Sequence, residues 1–374
     1  MYCGIDVSKN KSNVCILDKD KNVITEFEIQ HNKDGFERLR QYLTKDTKIG
    51  MEVTGNYSKA IYNYFKEEYN VCYLDSAMLN NFAKLNSPTI KNDKVDARLI
   101  AIFLSLGYKT INPVRVNELK DLCKLYRKTV KQLTKYKCMV KDQLNIIFPE
   151  LEQYMGVKSN KALSNLLLKY STSKDIANAS VEDIHKALTE NLKVTGRCTI
   201  EFANKIKILA NESIGDSKYP TSCFKYTIKI MLFYQCQIEE IKQSIEQRLK
   251  QTQYYKLIDE IGYNVISLAT IVSEIEDIRR FPNHKKLVGY CGLGITQKQS
   301  GSSVNKRSFV TKRGSSVLRH VFCMLTLVHL RKKAQFYEFY NKLKGKGKHP
   351  KQCIMAIARK LAIKAYYDMM KCHN

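Results

Sequence analysis

No uninterrupted apolar run in this sequence approaches the roughly 18 residues that a membrane-spanning helix needs, so no membrane partner is expected. There is no Cys-x-x-Cys pair, and the seven histidines are scattered, which leaves a structural zinc site without support. The twelve cysteines lie far apart (Cys3, Cys15, Cys72, Cys123 and onward) rather than in a dense disulfide framework, and are expected to be reduced thiols. No secretory leader is apparent ahead of the first β-prone run, so a cytoplasmic location is expected. Acidic residues are nearly missing from one end: from Arg279 to Asn374 there are 2 Asp or Glu against 22 Lys or Arg.

What is present begins with that imbalance. The formal net charge is +27, and the final quarter carries +20 of it, whereas residues 1–112 hold 16 basic and 14 acidic side chains. A generally basic composition would raise both ends alike, so the surplus points to a polyanionic partner, nucleic acid above all. At 374 residues and 44% hydrophobic content the chain can bury several cores. Three segments are expected, 1–112, 113–254 and 255–374.

Residues 2–6, 12–17 and 22–29 read as three hairpin-connected strands. A helix over 33–43, a strand ending at Glu52, a helix over 57–68, a strand over 71–74 and a helix over 93–105 follow. Three antiparallel strands and then alternating helices and strands is the order of an α/β, RNase H-like fold. Beyond Pro113 the apolar positions Leu119, Leu122, Tyr126, Val130, Leu133, Val140, Leu144 and Ile147 fit a coiled-coil seam. A second long helix over 224–249 carries Ile228, Met231, Ile238, Ile241 and Ile245 on one face, and the pair is expected to form a hairpin or to dimerise. A small helical insert is expected between Pro149 and Pro220, and a mainly helical unit with Gly and Ser loops from about residue 255.

Several side chains carry chemistry. Asp6 and Glu52 each end an apolar strand, where an acid faces a core or a cleft rather than open water. Asp93 and Asp96 stand three apart at the opening of a helix and share a face. Four convergent carboxylates repel one another unless a cation neutralises them, and hard oxygen ligands suit Mg²⁺ or Mn²⁺. The competing reading makes Asp93 a helix N-cap and Asp96 a first-turn charge. Ser300 lies in a polar, glycine-containing loop, where a hydroxyl can approach a phosphate and attack it if a base or metal activates it; a Ser-rich surface loop is the alternative. Lys306, Arg307, Lys312, Arg313 and Arg319 follow, a cluster suited to a sugar-phosphate backbone or to a solvated cationic face. The residues leave three functions open: a cut-and-rejoin recombinase, a metal-dependent structure-specific nuclease that uses the acids alone, and a non-catalytic nucleic-acid-binding protein.

The motif order narrows this. Gly4-Ile5-Asp6-Val7-Ser8-Lys9, Met51-Glu52-Val53-Thr54-Gly55-Asn56-Tyr57 and Lys91-Asn92-Asp93-Lys94-Val95-Asp96-Ala97, then Gln299-Ser300-Gly301, Thr311-Lys312-Arg313-Gly314 with Leu318-Arg319, and Ala358-Arg359-Lys360-Leu361 stand in sequence. Together they resemble the DEDD transposases of the insertion-sequence one-ten family, bridge-RNA-guided recombinases to which the pilin-gene inversion recombinases are related. The resemblance implies a RuvC-like domain whose Asp6, Glu52, Asp93 and Asp96 bind Mg²⁺, a coiled-coil middle, and a transposase domain with Ser300 as nucleophile. It implies double-stranded donor and target DNA as substrates, a structured non-coding RNA that specifies both by base pairing, and a homo-oligomer, dimer to tetramer, in which the acids of one protomer meet the serine of another. Two departures stand out. Asn92 replaces a small hydroxyl residue, and Ile261-Gly262-Tyr263-Asn264 lacks the proline and one glycine of a Pro-Gly-x-Gly-like hairpin.

Overall fold

The computed structural model describes residues 1–52, 57–86, 92–108, 110–111, 117–155, 161–190, 198–216, 218–258, 263–300, 304–311, 313–331 and 336–373; of 77, 111, 155, 296–300 and 304–309 it describes the backbone alone. The chain divides into two compact units, Met1–Val116 and Asn117–Asn374.

In the first unit, tight turns dictate the opening topology. Ser8 closes the turn between β1 (Tyr2–Val7) and β2 (Lys11–Leu17) by donating to the Lys11 carbonyl at 2.6 Å. Asp18 accepts from the Asn22 amide at 2.8 Å beside Lys21, whose φ of 71° makes the turn into β3 (Val23–Gln30). Connections this short leave only antiparallel pairing. The later strands arrive by helical crossovers: α1 (Lys33–Arg40) leads to β4 (Lys48–Glu52), and α2 (Tyr57–Phe65) to β5 (Asn70–Leu74). β4 pairs parallel to β1, and β5 parallel to β4. A two-residue strand, β6 (Thr110–Ile111), completes a six-stranded sheet of order β3-β2-β1-β4-β5-β6.

Alternation assigns the faces. Cys3, Ile5 and Val7 of β1 join Ile49 and Met51 of β4 in a core with Phe36, Leu39, Ile61 and Phe65 from α1 and α2. Tyr2, Gly4 and Asp6 therefore face the other way, as do Lys48, Gly50 and Glu52. That second face is covered by α4 (Asp93–Ser105), which follows α3 (Ser76–Asn86); Ala97 and Ala101 of α4 pack with Cys15 and Leu17. α4 lies so close that a Cβ on Gly4 would overlap the backbone of Ala97 and Ala101, and one on Gly50 would stand 3.0 Å from Leu104 Cδ2. Gly4 and Gly50 are register partners across β1 and β4. The two glycines thus form a flat spot on which the helix rests.

The second unit is organised by two 30-residue helices, α5 (Glu118–Ile147) and α11 (Thr221–Lys250). They form an antiparallel hairpin within one chain: Arg248 pairs with Glu118 at 2.6 Å at one end, Gln143 contacts Cys223 at 3.7 Å near the other, and Tyr136 and Tyr234 meet between, ring centroids 5.5 Å apart. The seam is close to the expected one, except that Cys123 and Thr129 are buried where Leu122 and Val130, both half-buried, were expected.

The hairpin belongs to two cores. Its distal half (Leu133, Val140, Leu144, Phe224, Ile228, Met231) packs with the insert, which is helical as expected: α6 (Pro149–Met155), α7 (Lys161–Lys169), α8 (Ser173–Asn178), α9 (Val181–Thr189) and α10 (Ile200–Asn211). Its proximal half (Leu119, Cys123, Ile241, Ile245, Leu249) packs with α12 (Val265–Ile275), α13 (His284–Tyr290), α14 (Ser316–Arg331) and α16 (Pro350–Lys371); α15 (Tyr337–Gly345) lies against α16. Residues 261 and 262 of the altered hairpin motif lie outside the described residues; beside them Tyr263 is buried and Asn264 caps α12 by accepting from the Ser267 amide at 2.8 Å. All twelve cysteines are free thiols. Among the described residues no helix is long and apolar enough to cross a membrane.

The glycine pair yields an ordered prediction. Gly4→Ala meets backbone that cannot yield and should cost at least about 2 kcal/mol in chemical denaturation, whereas Gly50→Ala meets the end of a leucine side chain and should cost about 1 kcal/mol or less. Equal losses would show that α4 does not rest on Gly4.

Candidate active site

The parallel register of β1 and β4 runs Cys3↔Ile49, Gly4↔Gly50, Ile5↔Met51. One further step brings Asp6 level with Glu52, at the same end of adjacent strands. Both are half-buried, and both point to the face covered by α4. Asp93, Ala97 and Ala101 form a stripe at steps of four along α4, and the last two sit on Gly4. The stripe therefore carries the first turn of α4, with Asp93 and Asp96, toward one end of β1. That end is set by Lys11, which opens β2 beside the end of β1: its ammonium is held above the ordinary range first by the hydrogen bond it donates to Glu28, and the charge of Asp93 adds to this.

Asn92, not Asp93, caps the helix, its side chain accepting from the Val95 amide at 2.8 Å. An asparagine at this place supplies the oxygen that a serine or threonine would, so the departure at Asn92 preserves the cap. Asp93 is left exposed and is not used for capping, while Asp96 is half-buried. Neighbouring acids are spoken for: Glu26 accepts from Arg98 at 2.7 and 2.8 Å, which holds its carboxyl below the ordinary range, and Glu28 pairs with Lys11 at 2.7 Å. Cys15, beneath α4, is pushed up to about 12 chiefly by burial and offers no thiolate.

The four acids thus share one face and one end of the sheet, and they are all oxygen donors, as a hard divalent cation requires. Among the described residues, no three His, Cys, Asp or Glu side chains stand close enough together to hold one ion. The backbone brings the set together and the side chains are not closed around a point. Residues 53–56 and 91, within the second and third motifs, lie outside the described residues.

The serine segment is not the open loop expected from its composition. Ser300 is the last residue of β7 (Ile295–Ser300), and its backbone pairs with Val304, the first of β8 (Val304–Val310). The side chains of Ser300, Lys306 and Arg307 lie outside the described residues, as do residues 301–303 and the whole of Lys312. Arg313 is exposed just past β8, and Arg319 is half-buried on the first turn of α14.

The base of this ribbon is firmly tied. The Thr311 amide donates to the Gly294 carbonyl at 2.9 Å, and the Ser315 amide to the Tyr290 carbonyl at 2.7 Å. Gly314 has φ of 112°, and a Cβ there would overlap the Tyr290 carbonyl. Ser315 Oγ accepts from the Leu318 amide at 3.2 Å, capping α14, and donates to Glu274 Oε2 at 3.1 Å. Glu274, only 8% exposed, was missed in the sequence, where its one signal was the single acid in the otherwise uncharged stretch Val265–Ile275.

Residues 3–149, spanning all four acids, match the DEDD family model described as a transposase, and residues 257–341, spanning Ser300 and the five basic residues, match the model described as "Transposase IS116/IS110/IS902 family". The pilin gene-inverting protein of Moraxella bovis is 23% identical in an alignment over 374 residues that covers 98% of this chain and 94% of that protein; the protein of the same name from Moraxella lacunata gives the same figures. The protein is a transposase. It belongs to the IS110 family.

If Glu274 anchors the ribbon, Glu274→Ala should lower stability by about 1–3 kcal/mol, the cost of removing the acceptor of a half-buried hydroxyl, and Glu274→Gln, which keeps an acceptor oxygen, by less. Thermal denaturation of the two variants checks the order; equal and negligible shifts would assign the ribbon's base to its backbone bonds alone.

Proposed function

We propose that this protein is an insertion-sequence recombinase that cuts DNA by attack of Ser300 and rejoins it from the resulting covalent intermediate, with the acids Asp6, Glu52, Asp93 and Asp96 assisting. The observation that carries the reading is the level placement of Asp6 and Glu52 on adjacent parallel strands beneath a helix that opens with Asp93 and Asp96. A strand order of β3-β2-β1-β4-β5, with three antiparallel strands and then two parallel to β1, supports an RNase H-like, RuvC-like assignment for the first unit.

In the proposed cleavage the Ser300 Oγ–phosphorus bond forms as the bond from phosphorus to the leaving deoxyribose oxygen breaks. The hydroxyl proton passes to a base, and the leaving oxygen takes up a proton. One phosphodiester is exchanged for another, so the energy for rejoining is retained, and attack by a second strand's hydroxyl releases the serine. The four carboxylates are the residues that would hold a divalent cation, Mg²⁺ or Mn²⁺, which when bound supplies polarisation of the scissile phosphate. Ser300 has no evident His–Asp partner in its own segment. Activation by the acids of another protomer answers that need and makes a dimer or tetramer part of the reading. Lys306, Arg307, Lys312, Arg313 and Arg319 would track the DNA backbone, leaving the choice of sequence to a bridge RNA paired with donor and target. The name of the Moraxella relatives, gene-inverting proteins, supports DNA rearrangement as the outcome.

On DNA carrying the element's flanking sequences, Ser300→Ala should abolish both recombination and any covalent protein–DNA species. Asp6→Asn and Glu52→Gln should abolish activity while leaving the melting temperature within about 4 °C of wild type. Full recombination by Ser300→Ala contradicts the reading. Cleavage retained with rejoining lost would instead favour a RuvC-like nuclease using metal-activated water, and salt-sensitive binding indifferent to every carboxylate substitution, without turnover, a non-catalytic binding protein. Sequencing the RNA that copurifies from the host tests the guide, and its absence removes that part.

A further inference from the structure

The connection between α15 and α16 is strongly cationic. Five lysines, Lys342, Lys344, Lys346, Lys348 and Lys351, fall within ten residues, and no acidic residue occurs between Glu338 and Asp368. All five are exposed. Among the described residues none of them pairs with a carboxylate, although the unit forms such pairs elsewhere, as between Lys364 and Asp368 at 3.2 Å. A solvating surface normally mixes both signs, and a run of one sign repels itself.

The turn that bears these charges is rigid. Gly347, at φ of 73°, ends α15 with its amide on the Lys344 carbonyl at 2.9 Å, and the Lys348 amide returns to the Leu343 carbonyl at 3.3 Å, the paired bonds of a Schellman cap. The next residue, His349, opens α16 in a reciprocal capping box with Gln352, and Pro350 takes the first helical position. Both flanks are held: α16 buries Cys353, Ile357 and Ala358, and Lys360 lies over the Phe339 ring at 4.7 Å, fastening α15. Like charges are therefore fixed near one another by backbone geometry, at an electrostatic cost that the fold itself does not recover.

Gly345 adds a separate signal. It ends α15, and a Cβ there would meet nothing within 4 Å, so packing does not demand a glycine. A bare backbone beside fixed lysines suits close approach by a phosphate. No large hydrophobic side chain is exposed from 342 to 351, so an interfacial membrane anchor lacks its apolar half.

We propose that the α15–α16 turn, with Lys342, Lys344, Lys346, Lys348 and Lys351, is a docking surface for the backbone of duplex DNA, whose dense phosphates match a dense run of one sign, additional to the basic residues around Ser300. It lies beyond residues 257–341, the span of the second family match. The surface rests on the reading of the protein as one that acts on nucleic acid, but not on any catalytic step.

Equilibrium binding of the full-length protein to a random duplex of about 30 base pairs, to a hairpin RNA of similar length and to anionic vesicles, from roughly 50 to 300 mM KCl, tests the proposal. The triple variant Lys344→Gln/Lys346→Gln/Lys348→Gln should reduce the steepness of log K against log salt by about 2–3 units on duplex, since each phosphate contact contributes about 0.9, and weaken binding at least about tenfold at low salt. Loss confined to the RNA arm overturns the assignment to duplex DNA. Gly345→Ala should weaken binding while the melting temperature holds or rises. The charge-matched control Lys19→Gln/Lys21→Gln/Lys45→Gln, on the first unit, should leave the slope unchanged. A wild-type slope for the α15–α16 triple on both nucleic acids, an equal loss in the control, or a loss seen on vesicles alone overturns the proposal. Because binding is read without turnover, failure here is distinguishable from failure of Ser300 chemistry.

Discussion

The contact on which the first unit depends is the seating of α4 on Gly4 and Gly50. A side chain on Gly4 would lift the helix from the sheet, and with it the turn that bears Asp93 and Asp96. The register that aligns the two glycines aligns Asp6 with Glu52 two residues later, because the side-chain period of a strand is two. Packing and chemistry are thus written on the same strands: alternate residues build the core against α1 and α2, and the others first make room for a helix and then present acids beside it. The exposed Asp93 fits this economy, since Asn92 has already taken the capping role.

The second unit solves a different problem in its final quarter, from Arg279 onward, where 22 basic side chains stand with only 2 acidic ones. Its hairpin lends one half to the insert and the other to the C-terminal helices, so two cores share one rigid spine. From that spine the unit presents two basic features on fixed backbone: the β7–β8 ribbon, tied at its base by Gly314, Ser315 and Glu274, and the lysine turn between α15 and α16, closed by a Schellman cap and a capping box. Rigidity matters because ordering flexible lysines on binding would consume part of the affinity that counterion release provides.

Much of this was legible in the residues. The alternation of Cys3, Ile5 and Val7, and the apolar period of α4, mark elements whose burial on one face leaves little choice, and α4 spans the expected residues 93–105. The long helices were legible because their seam repeats over many turns. What escaped has physical reasons. α3 exposes Met78 and Leu85, so it shows no clean apolar stripe, and β6 is two residues long. The segment around Ser300 is uniformly polar, so its pairing comes from hairpin closure rather than from alternation. Glu274 acts through Ser315, a partner 41 residues away that no local pattern reveals. At the site itself the sequence offered four acids as one set, and their mutual repulsion calls for a balancing cation if their side chains, which are not closed around a point, are to gather.

That balance supplies the most direct test. Mn²⁺ titrated into the full-length protein and followed by electron paramagnetic resonance should bind saturably, and the tight binding should vanish in Asp6→Asn and in Glu52→Gln while both variants remain folded. Binding that survives both substitutions, or no saturable binding by the wild-type protein, would contradict the assignment of these acids to one metal site.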